Sequence, residues 1–510
     1  MTIIDDWYSK KTVYKILCFV GYLLVAAGIV LFVLFGLFKW PGLHWDGSLY
    51  TTPILNLASG NGWRFGSYTH QLVERPSDEY SIHGVLYPIV FGILLKTSTY
   101  ESLFLWSGII NALTFVIYTF LFYRCLNIRY AKLSTASMFG FVAGFVCLEL
   151  QGRPEHLAPL IISIPLLARE FNASKNYSKY LSYITIGLLF ILSPIPGVMY
   201  GMGVLFWLGQ NKSGKKLWAE IIIAGLIAAV TSVLLIEVFC EFSTITWLTN
   251  TFLTGTHSTA PKDWFTLTSI GFFLRAPAWN FLVLIVLTLI LINLCAKKQF
   301  IILIIWFLLG LYLLPYVFYY GYIGFFPLLL LMMAGKENNW LKIGNLGKKY
   351  LGIFSVIFSM LYLAVLARIT LLFLLYVQYG TSFADAKLTL GRLTKELNPE
   401  SESVAFLWFS HPSFVALSQP PEFFIAAAPS LVEKGLDPLL SKYEAKFNKQ
   451  VKYFILPDGH LTSPPSQINQ NGYKYNLVYD GWSRKRAYFM GLKLGGAIPG
   501  YQFALYQRIK

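Results

Sequence analysis

The side chains of this sequence that are equipped for chemistry gather in a few places. Asp46 stands among aromatics in Trp40-Pro41-Gly42-Leu43-His44-Trp45-Asp46, with Tyr50 four residues on. His83 opens His83-Gly84-Val85-Leu86-Tyr87-Pro88, and Arg153 and Glu155 lie in Gln151-Gly152-Arg153-Pro154-Glu155-His156. Lys262 and Arg275 share a stretch with Glu241, His257 and Asp263. A placed carboxylate can take the proton from an attacking hydroxyl. Fixed cations can stabilise negative charge growing on a departing phosphate. A single base on the face opposite the leaving group gives one displacement, with inversion.

The elements that must position these groups are read from the apolar runs. Ile16 to Phe38 is long enough to cross a bilayer as one helix and ends just before the Asp46 stretch. It exceeds the h-region of a signal peptide and lacks a small-residue cleavage site, so an uncleaved anchor is expected. Lys10, Lys11 and Lys15 place the N-terminus in the cytoplasm and Trp40 outside. Gly84 to Lys96 is too short to span and reads as a shallow or re-entrant helix. Crossings are then expected at Leu103–Tyr123, Leu133–Leu150 and His156–Ala168, with Arg124, Arg129, Lys132, Arg169, Lys175 and Lys179 on the cytoplasmic side. The next run is interrupted at Ser193-Pro194-Ile195-Pro196-Gly197 and has basic residues at both ends, which predicts two half-length helices meeting at the prolines. Leu217–Val238, Trp279–Ala296, Phe300–Tyr316, Tyr322–Met333 and Tyr350 to about Tyr376 complete about eleven crossings. Arg368 interrupts the last of them, either snorkelling or marking where that helix leaves the bilayer.

Composition agrees. The chain is 56% hydrophobic, 17% aromatic and 13% charged, against about 25% charged in soluble domains. The net charge of +16 sits largely in short loops between apolar runs, as the positive-inside rule requires, and forms no continuous basic face for nucleic acid. The five cysteines, Cys18, Cys125, Cys147, Cys240 and Cys295, lie in or beside apolar runs, so no disulfide framework holds the exported parts.

After Tyr379 the composition changes. Ala384–Leu397 reads as an amphipathic helix. Ser403–Phe409, Val451–Leu456, Tyr475–Tyr479 and Phe503–Gln507 read as strands, with a helix at Asp437–Asn448. The expected organisation is a membrane domain over residues 1–379, with large outer loops at 40–100 and 239–278, and an extracytoplasmic α/β domain over residues 380–510.

A first membrane helix, then an acidic residue in Asp-x-x-x-Tyr spacing, then a His-x-x-Leu-Tyr-Pro element resembles the GT-C superfamily. These membrane glycosyltransferases use polyprenyl-phosphate sugars; protein O-mannosyltransferases and lipid A aminoarabinose transferases are among them. The family's Asp-Glu pair is here Asp46-Gly47, and its Pro-Pro-Leu-Tyr-Pro is Gly84-Val85-Leu86-Tyr87-Pro88. The resemblance implies an α-helical GT-C fold with an extracytoplasmic α/β domain, in a bacterial inner or plasma membrane. It implies Asp46 as base, Glu155 at the second acidic position, and Arg153, His83, Lys262, Arg275, Tyr50 and Tyr87 for the donor. The donor would be a polyprenyl-phosphate-linked sugar, and the acceptor a lipid, glycan or protein. Where relatives carry Thr-Lys-Gly-Pro this chain has Ser193, so a lysine contact to phosphate does not carry over. Asp46, His83, Glu155 and His257 could converge on a divalent ion, but no element carries ligand spacing, and the expectation is no metal and no cofactor. No Gly-x-Gly-x-x-Gly or P-loop lies between strand and helix, which argues against a nucleotide-sugar donor. Two other classes fit the topology: a secondary transporter, against which stands the lack of paired halves, and an inactive GT-C-like membrane protein.

Overall fold

The computed structural model describes residues 11–41, 48–63, 67–69, 84–126, 132–171, 175–212, 214–249, 251, 303–304, 308, 345–396, 402–406, 424–426, 450–457, 463–470, 473–483, 486–489 and 491–509. The helices are α1 (Lys11–Leu37), α2 (Ser48–Ala58), α3 (Leu86–Leu95), α4 (Ser102–Cys125), α5 (Lys132–Glu149), α6 (Ala158–Glu170), α7 (Lys175–Leu192), α8 (Pro194–Asn211), α9 (Gly214–Phe239), α10 (Asn345–Tyr379) and α11 (Phe383–Glu396). A 3₁₀ turn, Pro154–Leu157, joins α5 to α6. Five stretches among the described residues are long and apolar enough to cross a membrane: Lys15–Leu37, Ser102–Cys125, Lys132–Glu149, Gly214–Phe239 and Tyr362–Leu393. The spans expected between residues 279 and 333, and the helix expected at Asp437–Asn448, lie outside the described residues.

Short connections make consecutive helices from α4 to α9 antiparallel. One end of the bundle therefore gathers the end of α1, the start of α4, the 3₁₀ turn, the α7–α8 corner and the end of α9. Helix α10 runs alongside α1 in the same direction. The Tyr362 hydroxyl donates to the Leu24 carbonyl at 3.2 Å, and the Tyr376 hydroxyl to that of Phe38 at 2.8 Å. Arg368 lies between those two tyrosines on an exposed face, and the helix continues eleven residues past it.

Glycine sets the closest approach. Gly36 of α1 and Gly108 of α4 face each other so tightly that a Cβ on Gly108 would lie 2.7 Å from the Phe32 carbonyl oxygen and 3.0 Å from the Gly36 Cα. Small residues at a helix crossing are what dispersion packing in a membrane favours. Around that crossing Phe32, Phe115 and Phe141 interlock, with ring centroids 5.6–6.1 Å apart.

The interrupted run forms the two helices expected to meet at the prolines, each longer than half a span. Helices α7 and α8 are each 18 residues, about 27 Å at 1.5 Å per residue. They fold back on one another at Ser193, the one extended residue between them (φ −164°, ψ 128°). Pro194 and Pro196 sit in the first turn of α8, where a missing N–H costs nothing. The prolines thus start a second helix instead of shortening the first. Helix α6 is 13 residues, shorter than a span.

The C-terminal strands are β2 (Glu402–Phe406), β3 (Phe424–Ala426), β4 (Gln450–Pro457), β5 (Gln467–Gln470), β6 (Tyr473–Asp480), β7 (Arg486–Phe489), β8 (Leu492–Ala497) and β9 (Phe503–Ile509). The four strands read from the sequence fall in β2, β4, β6 and β9. The sheet has a member from elsewhere: β1, Ser67–Thr69 of the first loop, pairs in parallel with β3, Ser67 opposite Phe424 and Thr69 opposite Ala426. The order among described residues is β1-β3-β2-β4-β9-β6-β5, with β7–β8 a separate hairpin. The four strands from β1 to β4 pair in parallel and those from β4 to β5 antiparallel. Phe503, Ala504, Leu505 and Tyr506 of β9 are consecutively buried, so both faces of this central strand are covered.

This domain docks on the end of the bundle described above. The Tyr501 hydroxyl donates to the Lys39 carbonyl, and the Tyr501 N–H to the Thr381 carbonyl at 3.0 Å. Tyr100, Phe104, Phe383 and Tyr501 form one aromatic cluster, with the Phe104–Phe383 and Phe383–Tyr501 centroids both 5.4 Å apart. Glu101 holds Lys39 and, at 3.7 Å, Lys387, joining α1, α4 and α11.

Candidate functional site

Of the eight residues picked out from the sequence, four are described: Tyr50, Tyr87, Arg153 and Glu155. They come together. Asp46, His83, Lys262 and Arg275, with His257 and Asp263, lie outside the described residues.

The centre is the 3₁₀ turn between α5 and α6. Arg153 is extended (φ −110°, ψ 155°), and Pro154 fixes the first turn that follows. This geometry folds Arg153 back over Glu155: Nε donates to Oε2 at 3.0 Å and Nη2 to Oε1 at 3.4 Å. Ser193 Oγ, at the α7–α8 corner, donates to Glu155 Oε1 at 2.9 Å. The extended backbone of Ser193 is what turns the hairpin at this point, and its hydroxyl has a definite task. It ties the corner to the buried acid. Arg153, Glu155 and Ser193 are all buried.

The first loop returns to the same turn. Gly84 has φ +92°, and any Cβ there would collide with Pro154 and lie 2.9 Å from the Tyr50 ring. Only glycine gives both the left-handed backbone and the close approach. Tyr50 of α2 and Tyr87 of α3 meet edge-on with centroids 6.0 Å apart, and Tyr87 packs on Phe91 at 4.7 Å. Phe91 stacks on His156 at 6.2 Å, which carries the contact back to the turn. Tyr50 and Tyr87 are fully buried, so they wedge the loop helices against Pro154 and His156. The other end of the loop segment is fixed on α9: Trp63 Nε1 donates to the Phe239 carbonyl at 2.8 Å, and its backbone N–H to Glu241 at 3.4 Å. Glu241 thus serves the loop's anchorage.

Deeper in the bundle, His156 Nε2 lies 2.9 Å from Asn111 Oδ1. Asn111 is nine residues into α4, about 14 Å along its axis from Ser102. The turn therefore sits below the rim on which the C-terminal domain rests. Sequence reading quoted His156 without a role and passed over Asn111. The signal was available: Ser107, Asn111 and Thr114 recur at i, i+4 and i+7 within an apolar run, one polar side of a buried helix.

Among the described residues no three His, Cys, Asp or Glu side chains converge as a metal site. What the arrangement offers is a desolvated guanidinium held by a carboxylate, with the first loop's described segments fixed at Trp63, at β1 and at Gly84. The chain matches no protein-family model, no curated protein and no solved structure.

Proposed function

We propose that this chain is a GT-C-type membrane glycosyltransferase that moves a sugar from a polyprenyl-phosphate-linked donor to a lipid, glycan or protein acceptor at the extracytoplasmic face, with inversion. The observation that carries this reading is the convergence on one turn. Asp46 stands two residues before α2, and the loop that bears it and His83 returns at Gly84 against Pro154, directly beside the buried Arg153–Glu155–Ser193 set. In this mechanism Asp46 takes the proton of the acceptor hydroxyl, whose oxygen attacks the anomeric carbon. The carbon–oxygen bond to the phosphate breaks, and polyprenyl phosphate leaves with the bonding pair. No general acid is needed, because the leaving group is already a stable anion. Lys262, Arg275 and His83 serve the phosphate. Glu155 already accepts from Arg153 and Ser193, so its part is to orient Arg153 toward the donor and not to act as a base.

Orientation follows from charge. Arg124, Lys132, Arg169, Lys179, Lys212, Lys215 and Lys216 all lie at or near the helix ends opposite the docked domain. The positive-inside rule then puts that end and the N-terminus in the cytoplasm and the C-terminal domain outside.

The test is purified Asp46→Asn, followed for melting temperature, polyprenyl-phosphate binding and sugar transfer. General-base catalysis is worth about 10²–10⁴-fold, so transfer should fall by that factor with folding and donor binding intact. Near-wild-type transfer by a folded, donor-binding variant removes Asp46 from the mechanism.

A further inference from the structure

A polar side runs down α4 inside its apolar span. Ser107, Asn111 and Thr114 are fully buried there. Polar side chains within a span face the bundle interior or an aqueous cavity, and they mark pathways and sites. Asn111 Oδ1 accepts from His156, so Nε2 carries the ring proton and Nδ1 presents a lone pair. Asn111 Nδ2, His156 Nδ1, Ser107 Oγ and, one turn before, Gln151 Oε1 are buried with no hydrogen-bond partner among the described residues. Each has lost water hydrogen bonds without a replacement from the described residues, a state native structures avoid.

The chemistry of the four groups narrows what would satisfy them. One is an amide donor, two are acceptors, and one is a hydroxyl that does both. None of these four groups is a cation, and the adjacent Arg153 and Glu155 offset each other's charge. An anion calls for N–H donors or positive charge. An array balanced between donor and acceptor suits a neutral group that does both at once, which is a hydroxyl.

We infer that α4 and the 151–156 turn form a subsite for hydroxyl groups of the donor's sugar, filled by water when no donor is bound. This rests on the polyprenyl-phosphate-sugar reading above. The turn that carries His156 also carries Arg153, which places sugar recognition next to the reacting end and separates it from recognition of the phosphate.

The experiment measures binding of citronellyl phosphate, and of its mannosyl, glucosyl and N-acetylglucosaminyl esters, to the full-length protein in micelles. At least one ester should bind about tenfold more tightly than the bare phosphate. Asn111→Leu should remove that gain and leave the bare-phosphate affinity within about twofold. Ser107→Ala, a smaller change that tests the same subsite if the leucine variant does not fold, should remove part of the gain. A sugar gain that persists in the folded variants overturns the inference and leaves water as the subsite's only occupant. A wild type that binds the phosphate but gains nothing from any of the sugars overturns it too. A wild type that binds none of the four probes overturns the glycosyltransferase reading itself, and this inference with it.

Discussion

The basic end of the helical bundle and the 3₁₀ turn near its other end handle charge differently. At the basic end, ionic contacts bridge neighbouring helices around two largely buried carboxylates, each with a partly exposed cation. Arg124, its side chain 46% exposed, reaches Glu170, 4% exposed, at 3.1 Å; Lys212, 33% exposed, and Lys179, 11% exposed, share Glu220, which also accepts from Tyr183 at 2.8 Å. At the docking end the Arg153 and Glu155 side chains are 8% and 1% exposed. A contact with a partly exposed cation whose carboxylate keeps other partners, such as Lys212–Glu220, is closest to the surface class worth about 0–1 kcal/mol. A buried pair often gains no stability over apolar residues of the same volume, yet removing one partner alone costs about 3–5 kcal/mol. The difference teaches that the basic end keeps cations partly in solvent and shares its carboxylates among several donors. The docking end keeps a charge pair that stability alone does not require.

The sharpest way to break this comparison is to neutralise one partner at each end. Glu155→Gln should destabilise by about 3–5 kcal/mol, seen as a large drop in melting temperature in detergent. Lys212→Met should change it by about 1 kcal/mol or less, because Glu220 keeps Lys179 and Tyr183. Equal losses would show that the two ends are energetically alike. Replacing Arg153 and Glu155 together by Met and Leu should restore most of the stability lost by Glu155→Gln while leaving sugar transfer abolished. Recovery of transfer in that double variant would make the pair structural.

Gly84→Ala sharpens the comparison from the side of the loop. It forces a Cβ against Pro154 at a positive φ, a strain of about 1–3 kcal/mol. It should weaken transfer through the turn while Gly214→Ala, at a positive φ but with open space around it at the basic end, costs only the backbone strain. Thermal melts of the two variants, with transfer rates alongside, separate the effects.

Tyr501→Phe removes one hydrogen bond to the Lys39 carbonyl and keeps the aromatic cluster, a loss of about 0.5–1.5 kcal/mol. Faster proteolytic release of the C-terminal domain, with an unchanged melting temperature for the bundle, is the expected result. The smallest effect concerns pH at the same joint. The Lys39 ammonium beside Glu101 holds its carboxyl below the usual carboxylate range. A group whose folded value is depressed contributes stability above its unfolded value, here near 4.5, and loses it as pH falls through the folded one. Proteolytic release should therefore rise modestly below about pH 4.5 in the wild type, and Glu101→Gln should flatten that dependence.

Much of this was legible in the sequence because it rests on local pattern. Ile16–Phe38, Leu103–Tyr123 and Leu217–Val238 announce themselves by length, and β4, β6 and β9 by alternation and β-branched or aromatic content. The convergence of Tyr50, Tyr87, Arg153 and Glu155 was legible only as a list of types on one side of the membrane. What pattern could not reveal depends on partners far apart in the chain. Ser67–Thr69 carries no strand signal of its own, since three residues become a strand only when β3 offers an edge. Pro194 and Pro196 look like helix breakers, and only the corner at Ser193 makes them a helix start. Glu241 reads as a loop charge until Trp63 is placed on it, and Asn111 as an isolated polar residue until His156 meets it.

The borrowed strand sets a timetable for making this protein. Ser67 and its partner Phe424 are 357 residues apart in the chain. At a synthesis rate of about 5–20 residues per second, the loop waits about 20–70 s after emerging before the segment that completes its pairing exists. Through that interval the first loop is unfastened at β1, and most of the membrane helices are inserted around it. The C-terminal sheet cannot acquire this edge by folding alone, since the strand belongs to the part of the chain made first. Expressed without the first 100 residues, the C-terminal domain would present β3 as an open edge, the kind of surface on which separate chains pair and aggregate.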